Sequence, residues 1–83
     1  VIRSANTLKD KRRIIKDLKD RIKNNFNVSI SETGALDNCQ YSKLGIAMVG
    51  NDTNYVQSVL SGLINLFHRL TFVELVDYNL EFI

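Results

Sequence analysis

Apolar residues in the stretch Thr7 to Asn25, TLKDKRRIIKDLKDRIKNN, recur three, four and seven positions apart. That spacing belongs to a helix and rules out an alternating strand. At about 100° per residue, Leu8, Ile14, Ile15, Leu18 and Ile22 fall within an arc of roughly 120°, wide enough to face a core. Thr7 is placed to cap the helix with its hydroxyl, and Asp10, three residues on, suits the positive N-terminal end. Asn24 and Asn25 tolerate the left-handed turn that commonly stops a helix.

Beside the apolar stripe lie Lys9, Arg12, Lys16, Lys19 and Lys23, in an arc of about 80° by the same arithmetic and with no acid among them. Asp10, Asp17 and Asp20 fall on the far side with Arg13 and Arg21. The row of cations has two readings. Lysines that flank an apolar stripe cover its edges with their methylene stems and keep their charges in water. Five cations on one face can also track a phosphate backbone, with sequence-independent, salt-sensitive affinity. Lys11 falls inside the apolar arc, where an ammonium must reach the helix end or meet a carboxylate. Glu32, which interrupts the next apolar alternation, is the expected partner, giving a structural ion pair Lys11–Glu32.

The helix concentrates the charge. Residues 7–25 hold eight bases and three acids, a local +5, so the whole-chain charge of +2 leaves −3 for the rest. An 83-residue chain with 45 % hydrophobic and 24 % charged residues reads as one ordinary globular domain over residues 1–83. At this size only about 60 % of the unfolded surface is buried, so stability is marginal without partners. There is no apolar run of the roughly 18 residues needed to span a membrane and no signal-peptide pattern. A single cysteine forms no internal disulfide, so the cytoplasm is the expected compartment.

Val1–Ser4 resembles the tail of a strand, short against the usual five or six residues, and is expected to be incomplete at its start. In Asn27–Thr33, Val28 and Ile30 alternate with polar residues, as in a half-buried strand ended by Gly34. Tyr41–Val49 is a second alternating strand, with Leu44, Ile46 and Met48 on one face and the small Gly45 and Ala47 on the other. Asn51 or Asp52 caps a second helix reaching His68 or Arg69. Its apolar arc of about 180° predicts deep burial or contact with a second subunit, and Gly62 at its edge permits a close crossing. Thr71–Ile83 alternates as a last strand, with a parity change between Leu75 and Val76; either a bulge reconciles the two halves, or the end NLEFI leaves its own sheet and packs on a neighbour.

The order strand, helix, strand, strand, helix, strand predicts an α+β fold: a ferredoxin-like βαββαβ two-layer sandwich. Both helices would cover one face of a four-stranded antiparallel sheet, with the first and third strands central.

Chemistry-bearing groups are sparse. His68 is the single histidine and Cys39 the single cysteine, and the four glycines are scattered rather than grouped into a phosphate loop. No other side chains are spaced to join His68 around a metal, so no metal site, catalytic residue or cofactor is expected, and the protein is read as a non-enzyme. Tyr41, Tyr55 and Tyr78 can stack on RNA bases, or form half-buried core edges.

Several pieces of the chain look like those of the YlxP-like family of small uncharacterised bacterial proteins. They are Leu8-Lys9-Asp10-Lys11-Arg12, Phe26-Asn27-Val28-Ser29 with Glu32, Leu44-Gly45-Ile46-Ala47 and Asn51-Asp52. The resemblance implies a ferredoxin-like fold and a longer first strand. It also implies a ribosomal or RNA association, since members lie among genes for transcription and translation factors. Two functions are therefore expected. One is a non-catalytic RNA- or ribosome-associated accessory factor, binding rRNA or the small ribosomal subunit through Lys9, Arg12, Lys16, Lys19 and Lys23. The other is a homo-oligomerising scaffold without nucleic acid. Neither needs a membrane or a small-molecule substrate.

Overall fold

The computed structural model describes residues 1–82 and has the element order α1 (Leu8–Asn25), β1 (Ser29–Gly34), β2 (Lys43–Ala47) and α2 (Thr53–Arg69). Thr7 precedes α1 in an extended conformation, and its hydroxyl accepts from the Asp10 N–H at 3.1 Å. The Asp10 carboxylate reaches back to the Asn6 N–H at 3.3 Å, a one-residue variant of the reciprocal cap. The other end differs from the expected asparagine stop. Phe26 leaves the helix extended, at φ −137°, and its N–H still donates to Ile22 O. Asn25 donates its side-chain amide to Arg21 O. At α2, Asp52 accepts from the Asn54 N–H at 2.9 Å, while His68 and Arg69 occupy the last turn, where cations suit the helix dipole.

β1 and β2 pair antiparallel, with Ile30 opposite Ile46 and Glu32 opposite Leu44. The register shifts between Glu32 and Gly34. On the outer face a Cβ at Gly45 would lie 2.8 Å from the Thr33 methyl, so a side chain here would make Thr33 shift. On the inner face Ile30 is buried and Leu44 and Ile46 are half-buried. They meet Ile15, Leu18 and Ile22 of α1 and Leu63 of α2, with Ile2 and Ala5 completing the core.

The expected four-stranded sandwich is not present: among the described residues the sheet has two strands. Val1–Ser4 forms no ladder among the described residues, and Arg3 and Ser4 already turn toward α1. Its pairing is limited to a reciprocal bond pair between Val1 and Glu74 and one bond from the Ile2 N–H to Gln40 O. Residues 71–82 form no strand either. Without a continuous neighbour their alternation builds no ladder, and the expected bulge after Leu75 does not arise; Ile83 lies outside the described residues. The expected central and edge strand positions fall with the sheet.

The broad arc of α2 is not deeply buried. Leu63 alone in that helix is fully covered; Val56, Leu60, Ile64 and Phe67 are half-buried and Tyr55 is exposed. Gly62 does admit a close neighbour: its missing Cβ would stand 3.4 Å from the Phe26 ring. Tyr41 and Tyr78 are also exposed, not half-buried.

Ile22 has no exposed surface and sits among α1, the sheet and α2. Ile22→Ala is expected to lower the unfolding free energy by about 2–4 kcal/mol, read from urea titration followed by circular dichroism. A loss under about 0.5 kcal/mol would remove this side chain from the core.

Candidate functional site

The amphipathic helix orients the candidate surface. Ile15, Leu18 and Ile22 are buried against the sheet side, which turns the adjacent row outward. Lys9, Arg12, Lys16 and Lys23 are exposed and Lys19 is half-buried. From Lys9 to Lys23 the row runs about 21 Å along the axis, at 1.5 Å per residue. Lys16 Nζ lies 3.9 Å from the Asp20 carboxylate, an exposed i,i+4 contact of little energetic weight. Among the described residues, Lys9, Arg12, Lys19 and Lys23 make no ion pair within 4.0 Å.

The opposite side of α1 is tied to the rest of the molecule. The Arg21 guanidinium lies 5.2 Å from the centre of the Phe72 ring, while Arg13 stays within the helix, 3.6 Å from Asp10. This stacking is a cation–π contact that spans from the helix to the C-terminal segment.

Lys11 is held inside. Its side chain is 2 % exposed, and Nζ lies 2.7 Å from Glu32 Oε2 and donates to Ala35 O at 2.6 Å. Glu32 Oε2 also accepts from the Ser42 hydroxyl at 2.7 Å. Ala35 adopts φ 57°, a left-handed conformation unusual for a residue with a Cβ. There it presents its carbonyl to the ammonium. The Lys11–Glu32 pair thus belongs to a closed cluster that also includes Ala35 and Ser42. Sequence reasoning missed these two: a backbone carbonyl carries no residue signature, and Ser42 is one of several serines near strand ends.

Burial alone would raise the Glu32 pKa. Hydrogen bonds from Lys11 and Ser42 and the charges of Lys11 and Lys19 outweigh it and hold the carboxyl below its ordinary value of 4.5. Lys19 is therefore felt by the clamp as well as facing solvent.

His68 is exposed near the end of α2, and Cys39 is half-buried in the loop between the strands. Among the described residues no three His, Cys, Asp or Glu side chains group to hold a metal ion. No described helix is long and apolar enough to cross a membrane.

A family model described as "Protein of unknown function (DUF503)" matches residues 1–80. The chain is also similar to the uncharacterized protein YlxP of Bacillus subtilis (strain 168), with 45 % identity over 51 residues. That alignment covers 61 % of this chain and 55 % of the relative, so the match spans little more than half of the relative's length. No solved structure matches the chain.

Two outcomes test the clamp. Lys11→Ala strands a mostly buried carboxylate and is expected to cost about 3 kcal/mol of stability, whereas pairing Lys11→Met with Glu32→Leu should recover most of it. Because folding depresses the Glu32 pKa, its contribution is complete above pH 4.5 and declines as pH falls through the lower folded-state value. Urea titrations from acid to neutral pH should show that slope in the parent chain. If Lys11→Met keeps the same slope, another group is responsible.

Proposed function

This chain belongs to the DUF503 family, proteins of unknown function, and we propose that it is a non-catalytic accessory factor that binds RNA through the basic edge of α1. The observation that carries this reading is the outward row Lys9, Arg12, Lys16, Lys19 and Lys23, in which, among the described residues, only Lys16 makes an ion pair within 4.0 Å and Lys19 acts on Glu32 from farther away. Uncompensated cations on a rigid helix release counterions when they meet phosphates, which supplies affinity without base recognition. The protein would work in the cytoplasm, with rRNA of the small ribosomal subunit as its target.

Exposed apolar side chains favour a second reading, self-association without nucleic acid. Val49 is 98 % exposed, and Val76, Tyr78, Leu80 and Phe82 are exposed at alternate positions of the C-terminal segment. A surface of this kind suits a second copy. Light scattering at high protein concentration should then report a dimer or larger that Val49→Lys or Phe82→Lys dissociates. A monomer throughout would exclude it.

The RNA reading predicts salt-dependent binding of a fluorescent single-stranded RNA in anisotropy titrations. With five phosphates neutralised, the logarithm of affinity should fall with that of salt at a slope of about −3.5. Lys16→Glu with Lys19→Glu should abolish binding, while Lys43→Glu, on the sheet, should leave it intact. Affinity indifferent to salt and to the double substitution would discard this mechanism.

A further inference from the structure

β2 pairs with β1 along one edge, and among the described residues no backbone hydrogen bond reaches the other edge of β1. Alternate residues of a strand turn their N–H and C=O groups to opposite edges, so Ser29–Glu32 presents both donors and acceptors outward. The usual guards of such an edge are sparse. Ser29–Gly34 holds no lysine and no proline. Its one charge, Glu32, is turned inward and paired with Lys11, and the register shift comes only after Glu32. Val1 and Ile2 lie on the other flank of β2, bonded to Glu74 and Gln40. β2 therefore stands between them and this edge.

The basic row of α1 hangs over the same side. At about 100° per residue, Arg21 and the row fall on opposite flanks of the buried stripe. Arg21 stacks on Phe72, which turns its flank toward the C-terminal segment. That segment lies across a groove from β2, so the other flank, with the row, faces the β1 side. Lys19 agrees with this placement: it is half-buried, and its charge helps to hold down the pKa of Glu32 in β1. β1 runs back along the helix, bringing Glu32 and then Ala35 to Lys11. Its six residues span about 20 Å, close to the length of the row.

The geometry points to an edge-addition site on β1 for an extended segment of a separate polypeptide with acidic side chains at alternate positions. The segment forms a third strand. Its peptide groups pair with the outward groups of Ser29–Glu32, and its acids, on the helix side, meet Lys16, Lys19 and Lys23. Its other face continues the hydroxyl surface of Ser29 and Ser31. Such β-addition draws affinity from the main chain and selectivity from alternate side chains. Charge complementarity selects this occupant. A second copy adding through its own β1 would set two basic rows side by side, which like-charge repulsion opposes. RNA phosphates can neutralise the row, but as acceptors they cannot pair the edge carbonyls. The site uses the same cations as the RNA reading and stands independently of it.

The probe is a blocked seven-residue peptide alternating threonine and glutamate, added to the full chain at low salt and followed by NMR amide exchange. Saturable binding should slow exchange about ten-fold or more at alternate residues of Ser29–Glu32, and much less in Lys43–Ala47. Glutamine in place of glutamate removes the charges, and N-methylation at alternate residues removes the donors. Each change should weaken the peptide by about ten-fold or more. Lys16→Gln with Lys23→Gln, checked for an unchanged circular dichroism spectrum, should weaken the parent peptide by a similar factor. No saturable binding up to about 1 mM would overturn the proposal, as would equal affinity for either altered peptide. So would outward β1 amides already protected before peptide is added. That result assigns the edge to the chain itself or, where protection grows with protein concentration, to a second copy. A single-stranded RNA that protects the same amides as well as the peptide does would also overturn it, and give the edge to nucleic acid.

Discussion

One buried ammonium sets the geometry of everything around it. Lys11 lies in the middle of the apolar arc of α1, and its Nζ is held between Glu32 of β1 and the carbonyl of Ala35. Removing that charge from water is costly, and its two short bonds offset the cost without making the pair a large net source of stability. Its main effect is positional. The pair pins α1 in rotation about its axis and in height along the sheet. A turn of one residue, about 100°, would carry the ammonium out of reach of Glu32 and swing the basic row against the sheet. The outward cations are therefore a consequence of an inward one.

The same clamp divides the surface by chemistry. The α1 side gathers most of the positive charge, while Glu74, Asp77 and Glu81 lie in the C-terminal segment among exposed apolar side chains. Arg3 joins the two regions through Glu74, at 2.7 Å but largely in solvent, so it guides more than it stabilises. The Arg21–Phe72 stack is a second tie on that seam.

Local patterns were legible where the deciding interactions are local. The caps Thr7 and Asp52 and the buried face of α1 follow from residue type and spacing. Lys11 announces itself as a charge at an apolar position, and Glu32 as an acid in an alternating strand; the fold sets them 2.7 Å apart. What escaped is non-local. Alternation in residues 71–82 says which side chains would share a face, but not whether another backbone lies alongside to complete a ladder. Asparagine tolerates a left-handed stop, yet α1 ends on an extended Phe26, whose ring lies beside Gly62 of α2. The left-handed residue is instead Ala35, whose carbonyl has a partner that no local rule foresees.

The seclusion of Lys11 also gives it a chemistry unlike that of its neighbours on the same helix. An amine acts as a nucleophile only when a reagent can reach its lone pair. Lys9, Lys16 and Lys23 leave their nitrogens open to solvent and reagent, whereas Lys11 keeps its own between α1 and β1, engaged at two oxygens. Acylating reagents will therefore mark the outer lysines first and reach Lys11 only when the helix lifts from β1. The rate at which that one side chain is modified becomes a clock for the opening of the seam.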